Sequence, residues 1–445
     1  MTKRRDTERP DTERYVIEHL VVDAAAEVIS DAVLDVVDGR VVWAGPAATA
    51  PDLDTTATTR LSGLVMPGLV NAHCHTPMML LRGTGEGLDT MRWLNEVIWP
   101  RESALRPVDI AAAMRLGAAE MLRNGITTTV EMYFFGDDMA TAASEVGLRS
   151  IITPPLIDDG ALTGFGPLDE QLAAIVELAG RWATDDLIDI GLGPHGAYSL
   201  TRTTLEQVAA TAASSGLMVH VHLAEQPHEA DTLTERTGLS APAYLDEIGL
   251  LGRRTLAAHG VWLSDADIEL LGERQVAVAH CPVSNGRHAS GIAPVAELRA
   301  AGVRVGLGTD GPVSHDRIDL FEEMRTAIRY ARIRHHDAAA MPARQALAMA
   351  LCGDAIGRPD LGHLRPGSAA DFIRIDVDRT EFEPIFDVAD LPERLVWVGH
   401  GGLVTDVWVA GRQRVADQTV VACDVDAVRA EVRARALDLV ARTGS

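Results

Sequence analysis

Short alternating apolar runs open and close the chain, and a longer stretch of mixed strand-like and helix-like patterns lies between them. Residues 15–22, Val33-Leu34-Asp35-Val36-Val37 and Val41-Val42-Trp43 read as strands, with Asp38-Gly39 as a hairpin turn between the last two. A related pattern returns late, where Val407-Trp408-Val409-Ala410-Gly411 precedes Arg412-Gln413-Arg414-Val415. Strands at both ends predict one small β-sandwich domain assembled from residues 14–66 and 367–424. Residues 1–13 are polar and are expected to be disordered. Between them, residues 67–366 carry eight apolar runs, at 68–71, 127–132, 150–154, 189–193, 218–223, 255–259, 276–280 and 303–308, mostly with helical patterns between. The predicted fold class is therefore α/β, a (β/α)8 TIM-like barrel. Residues 425–445 are expected to be a terminal helix with a stripe of Val425, Val428, Val432, Ala436 and Leu439, and with Asp424 as its N-cap.

Charge narrows the partners. A formal net charge of −24 repels phosphates and anionic lipid, so neither nucleic acid nor a membrane surface is expected. No apolar run reaches the roughly 18 residues of a membrane span, and the charged start lacks the apolar core of a signal peptide. Cys74, Cys281, Cys352 and Cys423 form no CxxC pair, which fits a reduced, cytoplasmic setting.

The chemistry begins with His73-Cys74-His75, directly after the run ending at Asn71. Residues two apart on a strand face the same side, so the two imidazoles point together and Cys74 points away. His222, His259, His280 and Asp310 each follow or end a predicted strand, and that face of an α/β barrel gathers the active site. A set of imidazoles completed by a carboxylate suits a divalent metal with an open position for water. Glu225, three residues after His222, can curl toward that water although its strand parity differs. His220 is expected to pack inside the barrel, and His335-His336 to be solvated surface.

Met66-Pro67-Gly68-Leu69-Val70-Asn71-Ala72-His73-Cys74-His75, His222-Leu223-Ala224-Glu225, Ala258-His259, His280-Cys281-Pro282-Val283-Ser284-Asn285 and Gly308-Thr309-Asp310-Gly311 together resemble the amidohydrolase superfamily. The resemblance is to its triazine hydrolase-like aminohydrolase branch, which includes adenosine, methylthioadenosine and S-adenosylhomocysteine deaminases. It implies His73, His75, His222 and Asp310 as metal ligands. It also implies Glu225, His259 and Asp310 as the catalytic groups that position water and move protons, with His280 in a supporting role. Two-metal relatives bridge their ions with a carbamylated barrel lysine. The single lysine here, Lys3, lies outside the barrel, so one ion is expected, zinc by ligand type with iron(II) as the alternative.

Trp93, Glu102, His195 and Ser314 are similar to the substrate contacts of nucleoside deaminases, and a carboxylate such as Glu102 accepts from both hydroxyls of a ribose diol. The loop after the third strand, Thr153-Pro154-Pro155-Leu156-Ile157-Asp158-Asp159-Gly160-Ala161-Leu162, lacks the arginine that homocysteine-binding members carry there. His315-Asp316 and Gly286-Arg287-His288 also depart from the pattern of that branch. The expected function is deamination of an amino-purine nucleoside by metal-activated water, with release of ammonia. A hydrolase of s-triazines, pterins or other heterocycles is the second reading, and a non-catalytic scaffold the third. The expected partner is a small heterocyclic substrate, with a homodimer or larger homo-oligomer as the assembly.

Overall fold

The computed structural model describes residues 12–55, 57–88, 90–158 and 166–444. The first strand, β1 (Thr12–Leu20), begins inside the stretch expected to be disordered, because Thr12 and Glu13 pair with Val37 and Val36; the rest of that stretch lies outside the described residues. β2 (Ile29–Val37) and β3 (Arg40–Pro46) form the expected hairpin, and Asp38 and Gly39 take φ of 47° and 74°, as a two-residue turn of this hand needs. They join β4 (Ala57–Pro67) in one sheet.

The middle of the chain supplies parallel strands separated by helices. They are β5 (Leu69–Cys74), β6 (Ile126–Glu131), β7 (Arg149–Ile152), a short β8 (Pro155–Leu156), β9 (Ile188–Ile190), a short β10 (Gly193–Pro194), β11 (Val219–Leu223), β12 (Thr255–His259), β13 (Ala277–His280) and β14 (Arg304–Leu307). β5-β6-β7-β9 make one four-stranded sheet and β11-β12-β13-β14 another, parallel throughout. Isolated parallel bridges link their edges at both sides, Cys74 to Asp310 and Leu192 to Val219. Each predicted run of the middle region contains one of the eight strands of these two sheets, to within a few residues.

The late strands β15 (Phe372–Ile375), β16 (Val404–Val409), β17 (Arg412–Ala416) and β18 (Thr419–Val420) return to the first sheet. Its order is β18-β17-β16-β15-β4-β1-β2-β3, so the two chain ends meet at the antiparallel β4–β15 pair. Tyr15, Phe372 and Trp408 form its aromatic core, the last two stacked with centroids 4.5 Å apart. Asp371, just before β15, fastens this sheet to the parallel strands. Its carboxylate takes Arg149 at 2.8 and 3.0 Å with both side chains buried, and also accepts from the Ala410 N–H. A buried bidentate pair with its remaining lone pairs satisfied fixes geometry more than it adds stability.

The terminal helix runs over Val425–Thr443. Asp424 accepts from the Ala427 N–H at its start, and Val428, Val432 and Leu439 are buried. Arg435 and Arg442 reach Asp109 on the helix Pro107–Arg123. No helix among the described residues is long and apolar enough to cross a membrane.

Candidate metal centre and its cavity

The C-terminal ends of the parallel strands bring His73, His75, His222, His259 and Asp310 together. His75 Nε2 lies 3.2 Å from Asp310 Oδ1, His73 Nε2 3.5 Å from the same oxygen, and His222 Nε2 3.3 Å from His75 Nε2. Two triads have donor atoms within 4.8 Å of one another: His73, His75 and Asp310, and His73, His222 and His259.

Hydrogen bonds decide which nitrogen of each ring is bare. A backbone carbonyl can only accept, so His75 Nδ1–H donates to Met132 O at 2.6 Å and His222 Nδ1–H to His195 O at 2.8 Å. Both Nε2 lone pairs therefore face the cluster. The His73 ring is fixed through two more residues. The Thr153 hydroxyl gives its one proton to Glu131 O at 2.6 Å, so it must accept from His220 Nδ1–H at 2.9 Å. His220 Nε2 is then bare and accepts from His73 Nδ1–H at 2.8 Å. That leaves His73 Nε2 bare, fully buried and without a hydrogen-bond partner. Such an atom is costly unless something binds it. Two bare Nε2 atoms beside the Asp310 carboxylate, with His222 Nε2 3.3 Å from that of His75, fit a divalent cation in chemistry.

Burial pulls the His73 ring down to about 3, while His75 ends above its ordinary range because its contacts with Asp310 outweigh its burial. Asp310 sits well below the usual carboxylate range; burial pushes it up, but the close His73 and His75 rings outweigh it. Its carboxylate is held further by the Ser284 hydroxyl at 2.6 Å and the Gly311 N–H at 2.8 Å.

The backbone is strained where it must aim these groups. Ala224, His259 and Asp310 all have left-handed φ, of 51°, 74° and 58°. Ala224 breaks the alternation of β11 immediately before Glu225, so Glu225 turns to the same cavity as His222 despite its parity. Glu225 Oε2 is 3.9 Å from His259 Nε2, and the other face of that ring is fixed by Asn285, whose Oδ1 accepts from Nδ1 at 3.0 Å.

A cavity of about 210 Å³ opens over this cluster. Trp93 and Glu102, on neighbouring helical segments, line it together with the distant His195 and Ser314. Tyr133, which sequence reasoning missed, also lines it and donates to Glu102 Oε1 at 2.7 Å. Its only local signal was its place just past β6. Desolvation pushes the Glu102 carboxyl up against the pull of that hydroxyl. His195 falls to about 4, through burial first and then the charge of His75, and its Nδ1 meets Ser199 Oγ at 2.9 Å. Ser314 Oγ donates to Gly311 O at 2.9 Å. Trp93 is seated on Gly85, where an added Cβ would stand 2.2 Å from the indole. Apolar walls come from Ile98, Trp99, Phe134 and Ile157. No arginine or lysine among the described residues lines the cavity.

Other residues fall elsewhere. His280 is buried but does not line the cavity, and its Nδ1 has no hydrogen-bond partner. His220 is fully buried, as expected, and bonds to His73. Cys74 Sγ points away toward Thr76 and Thr309. His335 is partly exposed beside Glu297. Of the arginine-free loop, residues 159–162 lie outside the described residues.

The chain is similar to known proteins along most of its length. A 5'-deoxyadenosine deaminase of Methanothermobacter thermautotrophicus is 38% identical over 382 residues, covering 85% of this chain and 88% of that protein. A 5-methylthioadenosine/S-adenosylhomocysteine deaminase of Pelotomaculum thermopropionicum is 36% identical, covering 95% and 97%. Among solved structures, an adenosine deaminase from Xanthomonas campestris with bound zinc superposes with a TM-score of 0.90 at 33% identity, covering 96% of this chain and 98% of that one. The model of the amidohydrolase family matches residues 64–414, and with relatives at this identity along nearly its whole length this chain belongs to that family.

Proposed function

We propose that this chain is a mononuclear metal-dependent aminohydrolase that deaminates an amino-purine nucleoside of the adenosine or methylthioadenosine type. The observation that carries this reading is a single cavity. It joins the His/Asp cluster to Glu102 and Trp93, and no arginine or lysine among the described residues lines it. On this reading the two parallel sheets close into a (β/α)8 barrel over residues 67–366, flanked by a β-sandwich from 14–66 and 367–424 and by the terminal helix Val425–Thr443. A cytoplasmic location and self-association as a homodimer or larger assembly accord with it.

His73, His75, His222 and Asp310 would hold the ion, with zinc favoured by the ligand set over iron(II). Such an ion, when bound, lowers the pKa of water from about 15.7 toward about 7 and makes it a nucleophile at neutral pH. Glu225 takes a proton from the attacking water and delivers it to a purine ring nitrogen, which leaves the adjacent carbon electrophilic. Asp310 takes the second proton and passes it to the departing amine, so ammonia leaves neutral. His259, oriented by Asn285, hydrogen-bonds the attacking oxygen. Glu102 keeps one oxygen on Tyr133 and offers the other to the ribose diol. His195 and Ser314 border the base.

One site implies one ion. Elemental analysis of fully active protein is expected to return about one divalent ion per chain; two would contradict the mononuclear site.

The substrate is tested by following the purine absorbance change with adenosine, 5'-deoxyadenosine, methylthioadenosine and S-adenosylhomocysteine in parallel. The uncharged nucleosides are expected to exceed S-adenosylhomocysteine by roughly ten- to a hundredfold in kcat/KM, because an amino-acid carboxylate finds no arginine. Arg287 is already committed, to Asp316 and to Glu86 at 3.0 Å. A clear preference for S-adenosylhomocysteine would overturn this specificity. Failure of all four would overturn the nucleoside reading and leave a hydrolase of triazines, pterins or related heterocycles.

A further inference from the structure

Resting on the nucleoside reading, we propose that His288 is a specificity-determining residue. It closes the cavity with Trp93 and gives the bound nucleoside a hydrogen bond through its unengaged imidazole.

The helix Pro282–Arg287 is the reason to look there. Ser284 on this helix holds Asp310, and the next residue, Asn285, orients His259. His288 caps the same helix, four residues after Ser284, with its N–H donating to Ser284 O at 3.0 Å. Residues four apart share a helix face, so a side chain at 288 projects on the side where Ser284 meets the site. The cavity lining includes it.

Its ring lies 4.9 Å from that of Trp93, centroid to centroid, tilted by 51°. Trp93 is backed by Gly85 on another side, so the two rings form one wall rather than two loose side chains. Arg287 secures the segment from outside by bridging Asp316, after β14, to Glu86, after β5. The segment is tied to both neighbouring loops.

What sets His288 apart is its lack of a partner. His75, His195, His222 and His259 each spend a ring nitrogen on the protein. Neither ring nitrogen of His288 has a hydrogen-bond partner among the described residues. His228, the other unengaged histidine of the lining, is exposed, whereas His288 is half-buried against Trp93. An imidazole placed this way offers one donor and one acceptor to whatever fills the cavity. A ligand that supplies the complement gains a neutral hydrogen bond without losing one already made.

The test is steady-state kinetics of the metal-loaded enzyme with methylthioadenosine and adenosine, comparing His288→Ala, His288→Gln and His288→Phe. His288→Ala is expected to raise KM about three- to tenfold and leave kcat within about twofold, since Glu225, His259 and the ligands are untouched. Gln keeps a donor and an acceptor and should recover most of the KM; Phe keeps only the ring and should not. Metal content should be equal in all four proteins. An unchanged KM in His288→Ala, or full recovery by Phe, would overturn the proposal while wild-type turnover still upheld the nucleoside reading. A wild type inactive on every nucleoside would remove both.

Discussion

Glu225→Gln is expected to keep a full complement of metal and to lose about 10²- to 10⁴-fold in kcat. The amide preserves the size of the side chain and its place near Ser290 and Gln226, whose polar atoms lie 3.5 Å from Oε1. It cannot accept a proton. The ligand atoms belong to other residues, so the ion should be retained. The retained metal is what separates this result from ligand loss. Because both kcat and kcat/KM should fall together, the lost interaction would be one made only in the transition state. Equal turnover in the variant with metal bound would remove Glu225 from the mechanism and leave Asp310 to carry both proton transfers. Glu229, which also lines the cavity, is raised to about 8 beside the charged Glu225, by burial first and then by that charge; the variant removes the charge and keeps the burial.

The second large effect is expected one shell away from the ion. His220→Leu should weaken metal affinity by about ten- to a hundredfold, read by competition with a coloured chelator. The variant removes the acceptor that holds His73 Nδ1–H, so His73 is no longer locked with Nε2 bare. Thr153→Val should act in the same direction and more weakly, because His220 remains but its tautomer is no longer dictated by the Thr153 hydroxyl. Both side chains are fully buried, and a circular-dichroism melt would separate loss of fold from loss of metal. Unchanged affinity in a folded His220→Leu protein would mean that His73 holds its tautomer without the relay.

Much of the architecture was legible in the sequence. Apolar runs of strand length recur through the middle of the chain, and the period of two places His73 and His75 on one face whatever their distant neighbours are. The Asp38-Gly39 hairpin and the Asp424 cap rest on local backbone chemistry of the same kind, and both are present. Short motifs also marked His222 and His259 at the ends of their strands and Asp310 just past β14.

Other features depend on partners that no local pattern encodes. The relay from His73 to His220 to Thr153 spans 147 and then 67 residues of sequence, and which nitrogen carries the proton follows only once those atoms are side by side. Glu225 has the wrong parity for the site until the left-handed Ala224 turns the chain, a torsion that no residue type at 224 announces. Tyr133 became part of the site by reaching Glu102 across the cavity, and His288 by packing on Trp93. By itself the sequence determined the eight strands of the two parallel sheets and which residues stand near their ends, because those follow from short-range periodicity and turn chemistry. The tertiary structure alone decided proton positions, side-chain partners and the strained turns that aim them, because each depends on contacts between segments brought together only by folding.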